Sequence, residues 1–360
     1  MTDRRYWLAF NLARGIGPVK TRAVLDFFGD LEAAWRAPAS ELERAGLDKR
    51  AVRGLLEARK TLDLDKAVDQ LAKAGAHLLT WDDADYPSRL KEITDPPPVL
   101  YVRGELKPVD EFAVAIVGTR NATTYGKEVA RQLASGLAQN QVTIISGLAR
   151  GIDLIAHQAA LDAGGRTSAV LGCGVDVTYP PEARKLGERL TQQGALLSDL
   201  PLGTQPSAEN FPPRNRIISG LTLGVIVVEA AEESGALITA DFALEQGREV
   251  FAVPGNIYSK ASKGAHRLIQ QGAKLVTCVE DVLEELQLQQ VTQQALTREA
   301  LPQDDTERAV WEALSHEPIH IDELSRILDL PIPMLSAALM VMELKGMARH
   351  VGGMNYIKSQ

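Results

Sequence analysis

Residues 112–153 read FAVAIVGTRNATTYGKEVARQLASGLAQNQVTIISGLARGID. Two apolar, β-branched runs, FAVAIVG (112–118) and VTIISG (142–147), flank a stretch in which apolar residues return every three or four positions. The runs have the pattern of strands buried on both faces, and the stretch between them that of an amphipathic helix. Each run ends in glycine, polar residues and a new helix start. Strand, glycine turn, helix and strand make the βαβ unit of a parallel sheet.

The rhythm continues to residue 280. Further strands are expected at TSAVLGCG (167–174), ALLSDL (195–200), LGVIVVEA (223–230), EVFAVPG (249–255) and AKLVTC (273–278). Helical patterns lie between most of them, at about 124–139, 152–163, 181–193, 236–246 and 262–271. The fold class is therefore α/β: a Rossmann-like, doubly wound, mostly parallel sheet, expected to span 81–287. Upstream, residues 1–80 read as a domain of short helices punctuated by Gly15-Ile16-Gly17-Pro18 and closed by a short strand, His77–Trp81. Downstream, 288–303 is Gln-rich and reads as a linker. Helical patterns at 306–315, 320–328 and 332–345, then the glycine-broken MARHVGGMNYIK, give a winged-helix pattern for 304–360.

The chain has 360 residues with 39 Lys and Arg against 47 Asp and Glu, a formal charge of −8. Alone, that argues against a nucleic-acid partner. The distribution changes the reading. Residues 1–105 carry 17 basic and 17 acidic side chains, 106–280 carry 16 and 17, and 281–360 carry 6 and 13. The acid excess lies in the tail, so it tells against the winged helix as a DNA reader. Its last helix, IPMLSAALMVMELK, also lacks the several Arg, Lys, Asn or Gln that base reading needs. A protein-interaction or accessory role is expected there. Cys173 and Cys278 are far apart and form no disulfide framework, which fits a reducing cytosol. There is no apolar run of membrane-spanning length, and MTDRRYWLAF has no signal-peptide core, so a cytoplasmic protein without a membrane partner is expected.

In doubly wound sheets ligands sit at the carboxyl ends of the strands. After the first strand, Gly118, Thr119 and Arg120 precede a helix start, an arrangement suited to an anion. The spacing to Gly126-Lys127 is not that of a Walker loop. After the second strand, Ser146, Gly147 and Arg150 open another helix and form a second anion cradle. Asp153 and His157, four apart, are expected to pair in a buried, structural way. Cys173 reads as a packed thiol. After the fourth strand a proline-rich loop ends in Phe211, Arg214, Asn215 and Arg216: arginines for phosphate and a ring for base stacking, or else a core plug with paired arginines. Another small-residue helix start, Ser234-Gly235-Ala236, is expected at the same crevice, with Lys260 and Lys263 as possible extra phosphate contacts. No metal cluster or nucleotide-specific acid is evident, and no catalytic residue is assigned.

The ordered series GTR-x4-YG, SGLARGID, LGCGVD-x2-YP, FPPRNRIISGL, EA-x3-SGALITA and VFAVPG resembles the DNA-processing protein A (DprA/Smf) family. The resemblance implies a SAM-like or helix-hairpin-helix-like N-terminal extension and a C-terminal winged helix. It implies a homodimer that binds single-stranded DNA, protects it in natural transformation and helps load the RecA recombinase, without a cofactor or catalytic turnover. The DNA-binding positions it carries over are Gly118, Thr119, Arg120, Ser146, Gly147, Arg150, Phe211, Arg214, Asn215 and Arg216. The rival is a nucleoside-monophosphate phosphoribohydrolase of similar fold, but EESGALITA lacks that enzyme's Gly-Gly pair and catalytic glutamate.

Overall fold

The computed structural model describes residues 3–288, 305–315, 318–344 and 348–358. They fall into two compact units, residues 1–286 and 287–360. The linker expected at 288–303 lies, but for Leu288, outside the described residues.

The large unit is built on nine strands: β1 (His77–Thr80), β2 (Val99–Gly104), β3 (Ala113–Val117), β4 (Thr143–Ser146), β5 (Thr167–Val170), β6 (Ala195–Ser198), β7 (Gly224–Val227), β8 (Glu249–Ala252) and β9 (Lys274–Leu275). Their order across the sheet is β1-β2-β6-β5-β4-β3-β7-β8-β9. From β6 to β9 all pairs are parallel, and β1–β2 and β2–β6 are antiparallel. The β3 strand buries all five residues, as its continuous apolar run requires. The chain winds outward from β3 through β4, β5 and β6, then returns to β3's other edge with β7. Strand order therefore reverses at β3, the place where open α/β sheets hold ligands.

Three differences from the sequence expectation concern the sheet's rim. β2 was not anticipated, because VLYVRG follows Pro96-Pro97-Pro98. β1 hydrogen-bonds into the large sheet, so the sheet begins before the boundary expected at residue 80. The run at 273–278 contributes only two strand residues.

The N-terminal helices pack onto this sheet instead of standing apart. Trp7 and Phe10, each 1% exposed, belong to the same core as Leu100 and Val102 of β2. The Trp7 ring meets Trp81 edge-on at 5.9 Å, and Tyr101 of β2 donates its hydroxyl to Asn11 Oδ1 at 2.7 Å.

In the second unit, helices Asp305–Ala313, Ile321–Leu328 and Ile332–Leu344 enclose Val310, Leu324, Leu335 and Leu339. Strands β10 (Ile319–His320), β11 (Ala348–Gly352) and β12 (Asn355–Lys358) form its sheet in the order β10-β12-β11. This is the expected winged helix, with one short strand added.

Candidate nucleic-acid interface

At the carboxyl ends of the parallel strands lies an open crevice of about 620 Å³. Gly118, Thr119 and Arg120 line it from β3. Phe211, Arg214 and Asn215 line it from helix Phe211–Gly220, and Ser234, Gly235 and Ala236 from the start of helix Gly235–Glu245. A smaller adjoining recess shares Arg120, Ala149, Tyr179 and Phe211 with it and adds Gly147 and Arg150. Five loops far apart in sequence thus converge on one place.

The centre is a stack. The Arg120 guanidinium lies 5.2 Å from the centroid of the Phe211 ring, and the Tyr179 ring meets Phe211 at 5.9 Å and 32°. Arg120 is exposed and has no carboxylate partner among the described residues. Phe211 is half-buried: a β-carbon at Gly172 would come within 2.7 Å of its ring, so only glycine lets it settle on the backbone there. A planar group entering beside the ring would meet π faces and a positive charge together. Tyr179 was not assigned from the sequence; the YP of LGCGVD-x2-YP was its only local signal.

The two loops expected to cradle external anions are filled from inside. The buried Glu229 carboxylate accepts from Thr123 N at 2.9 Å and Thr123 Oγ1 at 2.6 Å, at the start of helix Thr124–Gln139. A β-carbon at Gly126 would lie 2.2 Å from Glu229 Oε2, so glycine there makes room for the carboxylate. Asp153 likewise accepts from Gly147 N at 3.1 Å and Ala149 N at 3.3 Å. Each internal carboxylate thus occupies loop donors that an external anion would otherwise use. Gly118 does not open the backbone to a ligand either: its α-carbon packs against Ile152, 2.6 Å from where a β-carbon would sit.

Three of the expected contact residues belong to the framework. Ser146 is fully buried and donates to Ile116 O at 2.6 Å, tying β4 to β3. Arg214 is 5% exposed; it donates to Gly147 O at 3.0 Å and also to Val170 O, with Asp153 as its nearby countercharge. Burial holds its guanidinium below the usual arginine range, to about 10, with Asp153 opposing. Burial raises the Asp153 carboxyl to about 6, with Arg214 and the two amides opposing. Arg216 turns away from the crevice and donates to Asp199 Oδ2 at 2.8 Å. Asn215 lines the crevice but is 8% exposed, its amide donating to Gly235 O at 3.3 Å.

The remaining assignments divide similarly. Arg150 is exposed at the small recess but forms an ion pair with Glu182. Lys260 and Lys263 are exposed, Lys263 lies 3.8 Å from Glu232, and neither lines the crevice. Asp153 and His157 do not pair. The His157 ring bonds Thr167 Oγ1 at 2.6 Å, and burial lowers it to about 3, so the ring stays neutral. Cys173 is 2% exposed and burial raises its thiol to about 11, the state of a packed, unreactive side chain. No cluster of three metal-ligating side chains occurs among the described residues.

The fold and crevice together define a doubly wound α/β binding protein with an appended winged-helix unit, its ligand-facing groups concentrated in one cation-and-ring stack. Residues 77–287 match the family model described as DNA recombination-mediator protein A, and residues 294–354 that of the DprA winged helix domain. The chain belongs to the DNA recombination-mediator protein A (DprA/Smf) family. It is 34% identical to Protein Smf of Synechocystis over 99% of this chain and 98% of that protein. It is 44% identical to Protein Smf of Escherichia coli over 80% and 76% of the two chains. The X-ray structure of DNA processing protein A from Streptococcus pneumoniae superposes with a TM-score of 0.71 at 37% identity, covering 79% of this chain and 99% of that one. The Helicobacter pylori DNA processing protein A, whose structure describes a single-stranded DNA binding mode of that protein, superposes at 0.53 with 30% identity over 59% and 97%.

Proposed function

We propose that this protein is a single-stranded DNA-binding recombination mediator. It acts in the cytoplasm as a homodimer, shields incoming strands and hands them to the RecA recombinase. The observation that carries this reading is the stack of Arg120, Phe211 and Tyr179 at the sheet's switch point. A single strand presents unstacked bases and regularly spaced phosphates. A free guanidinium over an accessible ring suits both, and every base has a π face, so sequence preference should be weak. A duplex keeps its bases stacked inward and offers the ring nothing. The family membership and the strand-binding mode described for the Helicobacter pylori relative support the same reading.

The rival hydrolase reading has little chemistry to draw on. Asp153, which lines the crevice, and Glu229 behind it are each held by N–H donors of their own scaffold, and Glu182 is paired with Arg150. Incubation with nucleoside monophosphates is expected to release no free base.

A gel shift with labelled oligonucleotides of matched length, single- and double-stranded, tests the reading. The single strand is expected to shift at roughly tenfold or more lower protein concentration, with little difference among base compositions. Equal affinity for both forms would contradict it.

A further inference from the structure

Residues 1–105 balance 17 basic against 17 acidic side chains, yet four of the cations gather at one turn. Gly15, with φ at 84°, bends the chain between helices Arg4–Leu12 and Pro18–Phe28. The turn lies against helix Lys49–Thr61. A β-carbon at Gly54 would sit 2.2 Å from Arg14 O, and one at Gly15 would sit 3.7 Å from Arg50 Cγ. Arg14 is therefore held beside Arg50 and beside Arg53, which adjoins Gly54. The helix turns Ala51, Val52 and Leu55 into the core and leaves Lys49, Arg50 and Arg53 outside. Arg14, Lys49, Arg50 and Arg53 are all exposed, and no hydrogen bond or ion pair engages their side chains among the described residues.

The nearest acid does not offset them. Asp48 accepts from Ala51 N at 2.8 Å and from Lys20 Nζ at 2.7 Å, so it is spent on the helix start and on Lys20. Lys20 Nζ also donates to Gly15 O at 2.8 Å and pins the turn. Glu57, exposed one turn beyond Arg53, marks the end of the basic stripe. Lys49 to Arg53 spans about 6 Å of helix rise. None of the four cations lines the crevice or its adjoining recess.

We propose that this turn is a docking surface for the phosphate backbone of duplex DNA, separate from the crevice. Free cations on a packed frame suit a stiff, dense array of phosphates, and a duplex carries one charge per roughly 1.7 Å of axis. The turn offers no accessible ring for unstacked bases: Phe27, at the far end of helix Pro18–Phe28, lies under the Arg44 guanidinium. Its one large exposed apolar side chain, Val19, is too little for the core of a protein interface. Contacts to phosphates alone read no sequence, so duplex binding here is weaker than strand binding in the crevice and strongly salt-dependent. If the crevice holds a single strand, one molecule carries both the strand and a duplex, a consequence that rests on the proposed function; the duplex surface itself does not.

The test compares duplex and single-strand affinities by anisotropy across salt concentrations for the full-length wild type and two variants. In the first, Arg14→Gln, Arg50→Gln and Arg53→Gln are combined; in the second, the same three positions become Lys. The Gln variant is expected to lose about tenfold or more in duplex affinity at low salt and to flatten the slope of log affinity against log salt by about 2.7, three phosphate contacts at 0.9 each. Its single-strand affinity should stay within about twofold, and the Lys variant should keep the duplex slope, because charge and not shape makes the contact. An unchanged duplex affinity and slope in a folded Gln variant, or no duplex binding by the wild type at low salt, would overturn the surface. Equal losses for single strand and duplex would overturn its assignment to duplex. Loss of duplex binding in the Gln variant, with single-strand binding indifferent to Arg120→Ala, would support this surface and tell against the crevice reading alone.

Discussion

Arg214→Met is expected to destabilise the large unit by about 3–5 kcal/mol, because it strips one side of a buried charge pair and leaves the other in place. Arg214 reaches through the sheet's switch point. It joins Gly147 of the second loop to Val170 of β5 and balances Asp153, which holds the same loop by its backbone amides. Without the guanidinium, two carbonyls lose their donor and the Asp153 carboxyl loses its countercharge. The loss is a large part of an ordinary domain's stability. Urea unfolding followed by circular dichroism should therefore show an early transition, and strand binding should fail together with the fold. Arg214→Lys should not restore it, since one ammonium nitrogen cannot take both the place of Nη1, which donates to Gly147 O and Val170 O, and that of Nε, which donates to Asn215 Oδ1. An unchanged midpoint would show that Arg214 is a surface contact and not a tie.

Phe211→Ala is expected to weaken single-strand binding by about 1–3 kcal/mol, roughly five- to 150-fold, the range for removing one base-stacking ring. The fold should remain, because Phe211 is half-buried at a helix start and not in the sheet core. Phe211→Trp should keep most of the affinity, since it keeps a π face under Arg120. Fluorescence anisotropy with a labelled oligonucleotide, alongside circular dichroism, separates the two effects. Full affinity in a folded Phe211→Ala protein would remove the ring from the site.

The fold was largely legible in the sequence because its strands are buried on both faces. Runs such as AVAIV at 113–117 and GVIV at 224–227 have no polar residue to interrupt them. β2 escaped because three prolines announce a loop, and one of its two partners, β6, lies far along the chain, Tyr101 pairing with Ser198. The winged helix was legible from the three- and four-residue spacing that buries Val310, Leu324 and Leu335.

The site was legible as a place but not as a list of contacts. The glycine-rich turns after β3 and β4 do mark the crevice. What local composition does not reveal is whether a polar side chain faces water or another part of the chain. Ser146, Arg214 and Arg216 look like ligand contacts in a string of polar residues, yet each bonds a partner of the framework 17 or more residues away. Glu229 and Asp153 fill the anion cradles for the same reason. Tyr179 went unassigned because its significance comes only from Phe211, which lies 32 residues further along the chain and stacks on it.

The central claim is that Arg120, stacked on Phe211, holds the strand's phosphate. The most direct measurement is the single-strand affinity of the wild-type and Arg120→Ala proteins across a range of salt concentrations, by anisotropy. Loss of one charge-assisted contact should weaken binding by about 1.5–3 kcal/mol at low salt. It should also flatten the slope of log affinity against log salt by roughly 0.7, the value for one phosphate contact on a single strand. The same affinity and the same slope in a folded Arg120→Ala protein would contradict the account.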